Sequence, residues 1–270
     1  MVSISPVSYI KRVFYVAYAY PAFYLGLSLL GFIGLAWAPF ALLFDLILPG
    51  AYAAKLGRWA IACGFRGYLR MLVWLGISRF DLTALDVLKQ QAPLILAPNH
   101  PCLLDAVMVL SRLPNVVCIM KSQLMNNVFL GAGARLAGYI RNDALRPMTR
   151  SALFALKNGQ QLLMFPEGTR TVYQPVNPFG GGIGLIACRG RVPVQTILIE
   201  TNSPFLGKGW PLFKCPALPV TYTVRLGQRF VPPRDAHVLV KQLEQYFRST
   251  LADRPPMPGL QPHSESSQVG

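Results

Sequence analysis

The chain has 270 residues, of which 53% are hydrophobic and only 14% charged, with 26 Lys and Arg against 11 Asp and Glu for a net charge of +15. That length holds one good-sized domain with its own core and an appendage, but the charge is too sparse for a chain solvated by water alone, since an average soluble domain carries about 25% charged residues. The positive excess selects polyanionic partners; so much apolar surface favours an anionic membrane and acidic or phosphorylated substrates over nucleic acid, for which no zinc knuckle, helix-turn-helix or aromatic-glycine RNA motif is present.

The first element is a stretch without charge over residues 13–44, bracketed by Lys11, Arg12 and Asp45. It is too long for the apolar part of a secretory signal, about 7–15 residues. It exceeds the roughly 20 residues of one membrane span without reaching two. Basic residues flank it on both sides (Lys11 and Arg12 before; Lys55, Arg58, Arg66 and Arg70 after), so the positive-inside rule gives no sidedness. The stretch predicts a hairpin dipping into one leaflet, bent at Pro21, Gly31, Gly34 or Pro39, or else a single tilted helix. Over residues 53–75, Arg58, Arg66 and Arg70 interleave with Trp59, Ile61, Phe65, Leu69, Met71 and Trp74. That mixture suits a helix lying in the headgroup layer, or an amphipathic helix packed on the domain. Residues 1–78 therefore read as a membrane-associated helical segment.

From about Phe80 the pattern changes to short apolar runs alternating with helical stretches. Residues 93–98, 116–120, 138–141, 161–165, 192–200 and 221–230 read as strands, and 105–112, 147–158 and 235–251 as helices. This alternation predicts an α/β domain over 79–254, a mixed and largely buried sheet flanked by helices. Residues 255–270, rich in Pro, Ser, Gln and Gly, read as a disordered tail. The five cysteines are odd in number and form no CxxC pair, which argues against a disulfide scaffold or structural zinc and fits a reducing cytoplasm. No metal site or cofactor is expected; His237 and His263 lie far from any ligand cluster.

Three segments carry chemistry. His100 follows a strand and Asp105 opens a helix, so the imidazole can serve as a base with the carboxylate fixing its tautomer and stabilising the imidazolium. The same pair is equally compatible with a helix-capping role. The second segment, Phe165-Pro166-Glu167-Gly168-Thr169-Arg170, turns at the carboxyl end of another strand, where ligands of α/β sheets bind, and its Arg suits a bidentate grip on phosphate. A structural Glu–Arg pair in a turn is the alternative. The third, 138–143, places Arg141 at a strand end. From residue 112 to residue 191 there are ten Lys or Arg and only two acids, Asp143 and Glu167, a balance suited to a phosphorylated acceptor and an acidic or phosphopantetheine-bearing donor.

Taken in order, Asn99-His100-Pro101-Cys102-Leu103-Leu104-Asp105, then Gly138 to Asp143, then Phe165 to Arg170, then Val192-Pro193-Val194 resemble the glycerophospholipid acyltransferase family, best known for its 1-acylglycerol-3-phosphate acyltransferases. The resemblance covers about 93–200. It implies that His100 deprotonates the acceptor hydroxyl, that Asp105 orients His100, and that Glu167, Gly168, Thr169 and Arg170 hold the acceptor while Arg141 contacts its phosphate. It also implies acyl-CoA or acyl carrier protein as thioester co-substrate, membrane lipids as partners, and a place at the cytoplasmic face of a bacterial inner membrane. Where many members carry Phe-Lys-x-Gly, this chain reads Phe179-Gly180-Gly181-Gly182, which removes one phosphate contact. Residues 201–216 form an aromatic, Pro- and Gly-rich insertion. An acceptor of another kind (an amino-acid lipid, a glycolipid, or a polyene or polyketide product) and a non-catalytic membrane scaffold stand as alternatives. Cys102 is not expected to act as a nucleophile, because neighbouring side chains at a helix start point in different directions.

Overall fold

The computed structural model describes residues 6–211, 214–252 and 261–262, with side chains on the first helix from residue 15 onward. In chain order the elements are α1 (Pro6–Ile47), α2 (Gly50–Trp74), β1 (Ser78–Asp81), β2 (Leu94–Pro98), α3 (Asp105–Arg112), β3 (Val116–Met120), α4 (Ser122–Met125), α5 (Gly131–Leu136), β4 (Ile140–Arg141), α6 (Leu145–Lys157), β5 (Gln161–Leu163), β6 (Tyr173–Gln174), α7 (Gly182–Gly190), β7 (Val194–Thr201), β8 (Val220–Phe230), α8 (Ala236–Ala252) and β9 (Gln261–Pro262).

The apolar stretch forms one unbroken helix with Pro21 and Pro39 inside it, so neither proline supplies the bend expected of a hairpin there. Each proline removes a single backbone bond, and in a run this apolar and free of charge the remaining peptide groups are best paired within the helix itself. The chain instead reverses at Leu48-Pro49, where Pro49 takes an extended ψ of 137° and α2 begins at Gly50. Within α1, Tyr15–Ile47 is long and apolar enough to cross a membrane. Phe32, Leu42, Leu43 and Leu46 lie exposed along it. Its other side docks on the domain: Phe23 is buried edge-on against Phe205, and Gly34 meets the Phe129 carbonyl so closely that a Cβ would lie 2.2 Å from it. The basic helix α2 likewise buries Arg58, Tyr68, Leu69 and Leu72 against the domain.

Seven strands form one sheet in the order β1-β8-β7-β2-β5-β3-β4. The five from β7 to β4 run parallel, and β8 turns antiparallel to β7 with β1 parallel to β8. Hence β2, β5, β3, β4 and β7 all end at the same edge. Every residue of β2 is buried, and its alternation splits the core in two, as a period of two residues requires. Leu94 and Leu96 face the cluster shared with α1, α2 and α3. Ile95 and Ala97 face the cluster shared with α6, α7 and α8. The result is a helix–sheet–helix sandwich, the mixed α/β class expected.

The predicted helices at 105–112, 147–158 and 235–251 lie close to α3, α6 and α8. The strand expected from residue 138 shortens to Ile140–Arg141, because Gly138 sits in the left-handed region at φ +70°. Within the expected tail, Gln261 and Pro262 pair with β6; the rest of that segment lies outside the described residues. All five cysteines are free.

Candidate active site

β2 stops at Pro98, and the next residue continues its pairing by other means. The Asn99 side chain accepts the Ile199 N–H at 2.7 Å and donates to the Ile199 carbonyl at 3.0 Å, imitating a backbone rung on β7. This fixes the turn that delivers His100. One turn later Asp105, wholly buried, opens α3. Its Oδ2 receives His100 Nδ1 at 2.8 Å and the Cys102 N–H at 2.8 Å, and its Oδ1 receives the Cys102 thiol at 3.0 Å. The backbone bond ties the carboxylate to the loop before α3, whose N-cap Leu104 makes no side-chain cap bond, so Asp105 holds the loop and the imidazole together. A carboxylate in this contact accepts from Nδ1, and Nε2 has no hydrogen-bond partner among the described residues. The imidazole stacks on Phe165, with centroids 3.9 Å apart.

Cys102 and His100 thus converge on Asp105 instead of diverging, because the loop before α3 curls around the carboxylate. Complete burial, and then the Asp105 charge, push the thiol well above its usual range, which disfavours the thiolate that a nucleophile needs.

The turn after β5 is closed by the Gly168 N–H on the Phe165 carbonyl, with Gly168 at φ +65°, a left-handed position that favours glycine. It turns Glu167 inward. Oε1 of Glu167 accepts the His100 N–H at 2.9 Å and the Thr171 hydroxyl at 2.9 Å, and Oε2 accepts the Asn177 N–H at 2.9 Å. Burial pushes this carboxyl above its usual range, against the opposing pull of those donors. Thr171 N–H also donates to the His100 carbonyl at 2.8 Å. Gly168 is exposed and Thr169 half-buried on the outside of the turn.

Arg170 directs Nη1 to the carbonyls of Leu206 and Gly207, at 2.8 and 3.0 Å. It lines a cavity of about 190 Å³ together with Phe23, Leu27, Leu103, Phe205 and Trp210. His100, Asp105, Glu167 and Arg170 are therefore gathered at one sheet edge. Arg141 is not: it sits on the outermost strand, three strand positions from β2, about 14 Å at the usual strand spacing, and pairs with Asp143 at 3.0 Å. Sequence reading missed Asn99, Phe165, Thr171 and Asn177 as parts of the site. An Asn directly after a buried strand, and an aromatic residue closing the next one, are the signals that mark the first two.

The chain thus places an imidazole, held by a buried carboxylate, at the carboxyl edge of an α/β sheet. A family model described as Acyltransferase matches residues 79–200, the segment holding all of these groups. Over that segment, just under half of the chain, the protein is similar to the acyltransferase family, and its relatives support an O-acyltransferase. It is 25% identical over 259 residues to a 1-acyl-sn-glycerol-3-phosphate acyltransferase of Pseudomonas aeruginosa, covering 92% of this chain and 95% of that one. It is 28% identical over 148 residues to the mouse 1-acyl-sn-glycerol-3-phosphate acyltransferase alpha, covering 52% of this chain and 50% of the relative. The chain spans about half the length of the mouse relative and of one from Saccharomyces cerevisiae, where 54% is covered. Its fold is that of the crystal structure of the 1-acyl-sn-glycerophosphate acyltransferase PlsC from Thermotoga maritima, with a TM-score of 0.63 at 18% identity over 91% of this chain and 99% of that one.

Proposed function

We propose that this protein transfers a fatty acyl group from an acyl-CoA or acyl carrier protein thioester to the free hydroxyl of a lysophospholipid of the 1-acylglycerol-3-phosphate kind, in phospholipid synthesis. The observation that carries the reading is the His100–Asp105 contact, with Nδ1 committed to a buried carboxylate and Nε2 without a hydrogen-bond partner among the described residues. In this reading Nε2 removes the acceptor's hydroxyl proton as the oxygen attacks the thioester carbonyl. The Asp105 charge stabilises the imidazolium so formed. The tetrahedral intermediate collapses with loss of the thiolate, which takes the proton back from His100, so no covalent enzyme intermediate forms. Glu167 positions the His100 backbone, and Arg170 with the loop at 205–210 forms the acceptor side. No cofactor enters the reaction. The exposed apolar side of α1 holds the enzyme at the cytoplasmic face of the membrane that supplies the acceptor.

The test is thioester-dependent acylation of 1-acylglycerol-3-phosphate by membranes carrying the wild type or His100→Ala. Product from the wild type alone supports the reading; equal product from both sinks it. A second acceptor class is favoured by one feature, the exposed Gly180 at the place where the family resemblance leads one to expect Lys. An amino-acid lipid, a glycolipid and a polyene alcohol therefore belong in the acceptor panel.

A further inference from the structure

The helices α6, α7 and α8 cover the sheet face opposite the one that meets α1 and α2. The buried residues of α6 are Met148, Thr149, Ala152, Ala155 and Leu156. Its outward side carries Arg146, Arg150, Phe154 and Lys157, all exposed, with Phe154 69% accessible. At the helical repeat these four fall within an arc of about 80° and form a stripe about 16 Å long. α6 contains no acid. Among the described residues none of its three bases has an ion-pair partner, whereas Arg112, Arg141, Arg225 and Arg248 each have one. The end of α7 packs on the same helix, with Gly190 against Leu153 and Leu156, and adds the exposed Arg189 and Arg191. Of the acids around these helices, Asp143 is already bound to Arg141, and Asp235, just before α8, acts on Cys188.

The stripe begins beside the candidate site. Leu145 and Met148 touch Gly182, the Gly180 N–H donates to the Pro166 carbonyl at 2.9 Å, and the next residue is Glu167, which holds His100.

We propose that this face docks an acidic carrier protein that brings the acyl thioester to His100, with Phe154 as the apolar anchor and Arg146, Arg150 and Lys157 paired to its carboxylates. An exposed aromatic side chain beside arginines is the composition that protein-interface hot spots favour. A coenzyme's phosphates call for a compact cradle, and a convex stripe of several helical turns is none. A bilayer is the poorer occupant, because the membrane-suited helix α1 lies across the sheet on the other face. The proposal rests on the thioester reading above.

The experiment compares palmitoyl-acyl carrier protein with palmitoyl-CoA as donors for the full-length wild type, the double variant Arg146→Glu with Arg150→Glu, and Phe154→Ala. Anisotropy of a fluorescent, unacylated holo-acyl carrier protein reads docking without turnover. The expected result is a rise of about tenfold or more in the carrier donor's KM and in the carrier's Kd, with CoA kinetics within about twofold of wild type and wild-type binding weakening as salt is raised. Equal losses with both donors, or carrier binding unchanged by the variants, overturn the proposal. So does loss of binding to phosphatidylglycerol vesicles alone, which would assign the stripe to the bilayer. If the wild type turns over neither donor, the thioester reading fails while anisotropy still decides whether the stripe docks the carrier.

Discussion

The Glu167 carboxylate accepts the backbone N–H of His100 at 2.9 Å, tying together two segments 67 residues apart. With the Thr171 N–H on the His100 carbonyl, it makes the histidine segment and the Glu-Gly-Thr-Arg turn one construction. Glu167 faces inward, where its two oxygens are taken up by the His100 N–H, the Thr171 hydroxyl and the Asn177 N–H.

Glu167→Gln tests that role. Its amide NH2 must confront either the His100 and Thr171 donors or the Asn177 donor, leaving a buried N–H unpaired at about 1–3 kcal/mol. Turnover is expected to fall about tenfold through misplaced His100, with a lowered urea midpoint. The pH dependence has a definite sign. Because burial raises the folded-state pKa of Glu167 above its ordinary value near 4.5, the folded protein holds the extra proton, and the stability linked to it is complete below that value. It is lost as pH rises through the raised pKa. The Gln variant lacks this loss, so the gap between wild type and variant should narrow with rising pH in urea titrations.

Asp105→Asn separates charge from geometry. The amide oxygen can take the place of Oδ2 and keep both the His100 Nδ1–H and the Cys102 N–H, while the NH2 points at the Cys102 sulfur where Oδ1 was. The fold and tautomer are therefore retained and only the negative charge is lost. The expected outcome is a fall in kcat of about 10²–10⁴ with the acceptor KM and melting temperature little changed. A kcat within threefold of wild type would show that His100 works without its carboxylate.

Much of this site was legible because its chemistry sits on strand ends. The buried runs at 93–98 and 161–165 place His100 and Glu167 at the same edge once a parallel sheet is inferred, and Asp105 follows from the helix that must begin there. What escaped depends on contacts distant in sequence. Asn99 reads as an ordinary loop residue until β7 brings Ile199 within 3.0 Å. The glycine run at 180–182 reads as flexible, yet α7 starts there, because Gly184 lets the helix approach the Ala236 carbonyl so closely that a Cβ would lie 2.4 Å away. Tertiary packing there outweighs the poor helix propensity of glycine. Arg141 shows the converse: its motif was readable, but strand order puts it on the outermost strand beside Asp143.

Cys102→Ala distinguishes direct attack from an acyl-enzyme. The thiol is fully buried, pushed well above its usual range, and engaged with Asp105. Its removal is expected to leave kcat within about threefold and to cost about 1–2 kcal/mol of stability. Intact-mass measurement of wild type quenched during turnover should show no acyl adduct, and iodoacetamide at pH 8 should leave Cys102 unlabelled in the folded protein. A covalent acyl group on Cys102 would replace the base mechanism with a nucleophilic one.

Arg170 connects the acceptor side to the aromatic insertion. Its guanidinium holds the Leu206 and Gly207 carbonyls, and Leu206 itself sits at φ +58°, an uncommon place for a branched side chain. Phe205 and Trp210 stand edge to face beside it and shape the cavity with Phe23 and Leu103. Arg170→Ala removes two charge-assisted bonds, worth roughly 1.5–3 kcal/mol each, and frees the loop that walls the cavity. The acceptor KM should rise about tenfold or more with a smaller change in kcat, and limited proteolysis should cut within 204–211 faster than in wild type. Arg170→Lys keeps a cationic donor but not the planar, rigid guanidinium that places Nη1 between the two carbonyls, so it should fall between the two in both measurements. A raised KM with unchanged proteolysis would instead place the guanidinium on the acceptor's phosphate, and unchanged values in both would remove Arg170 from the site.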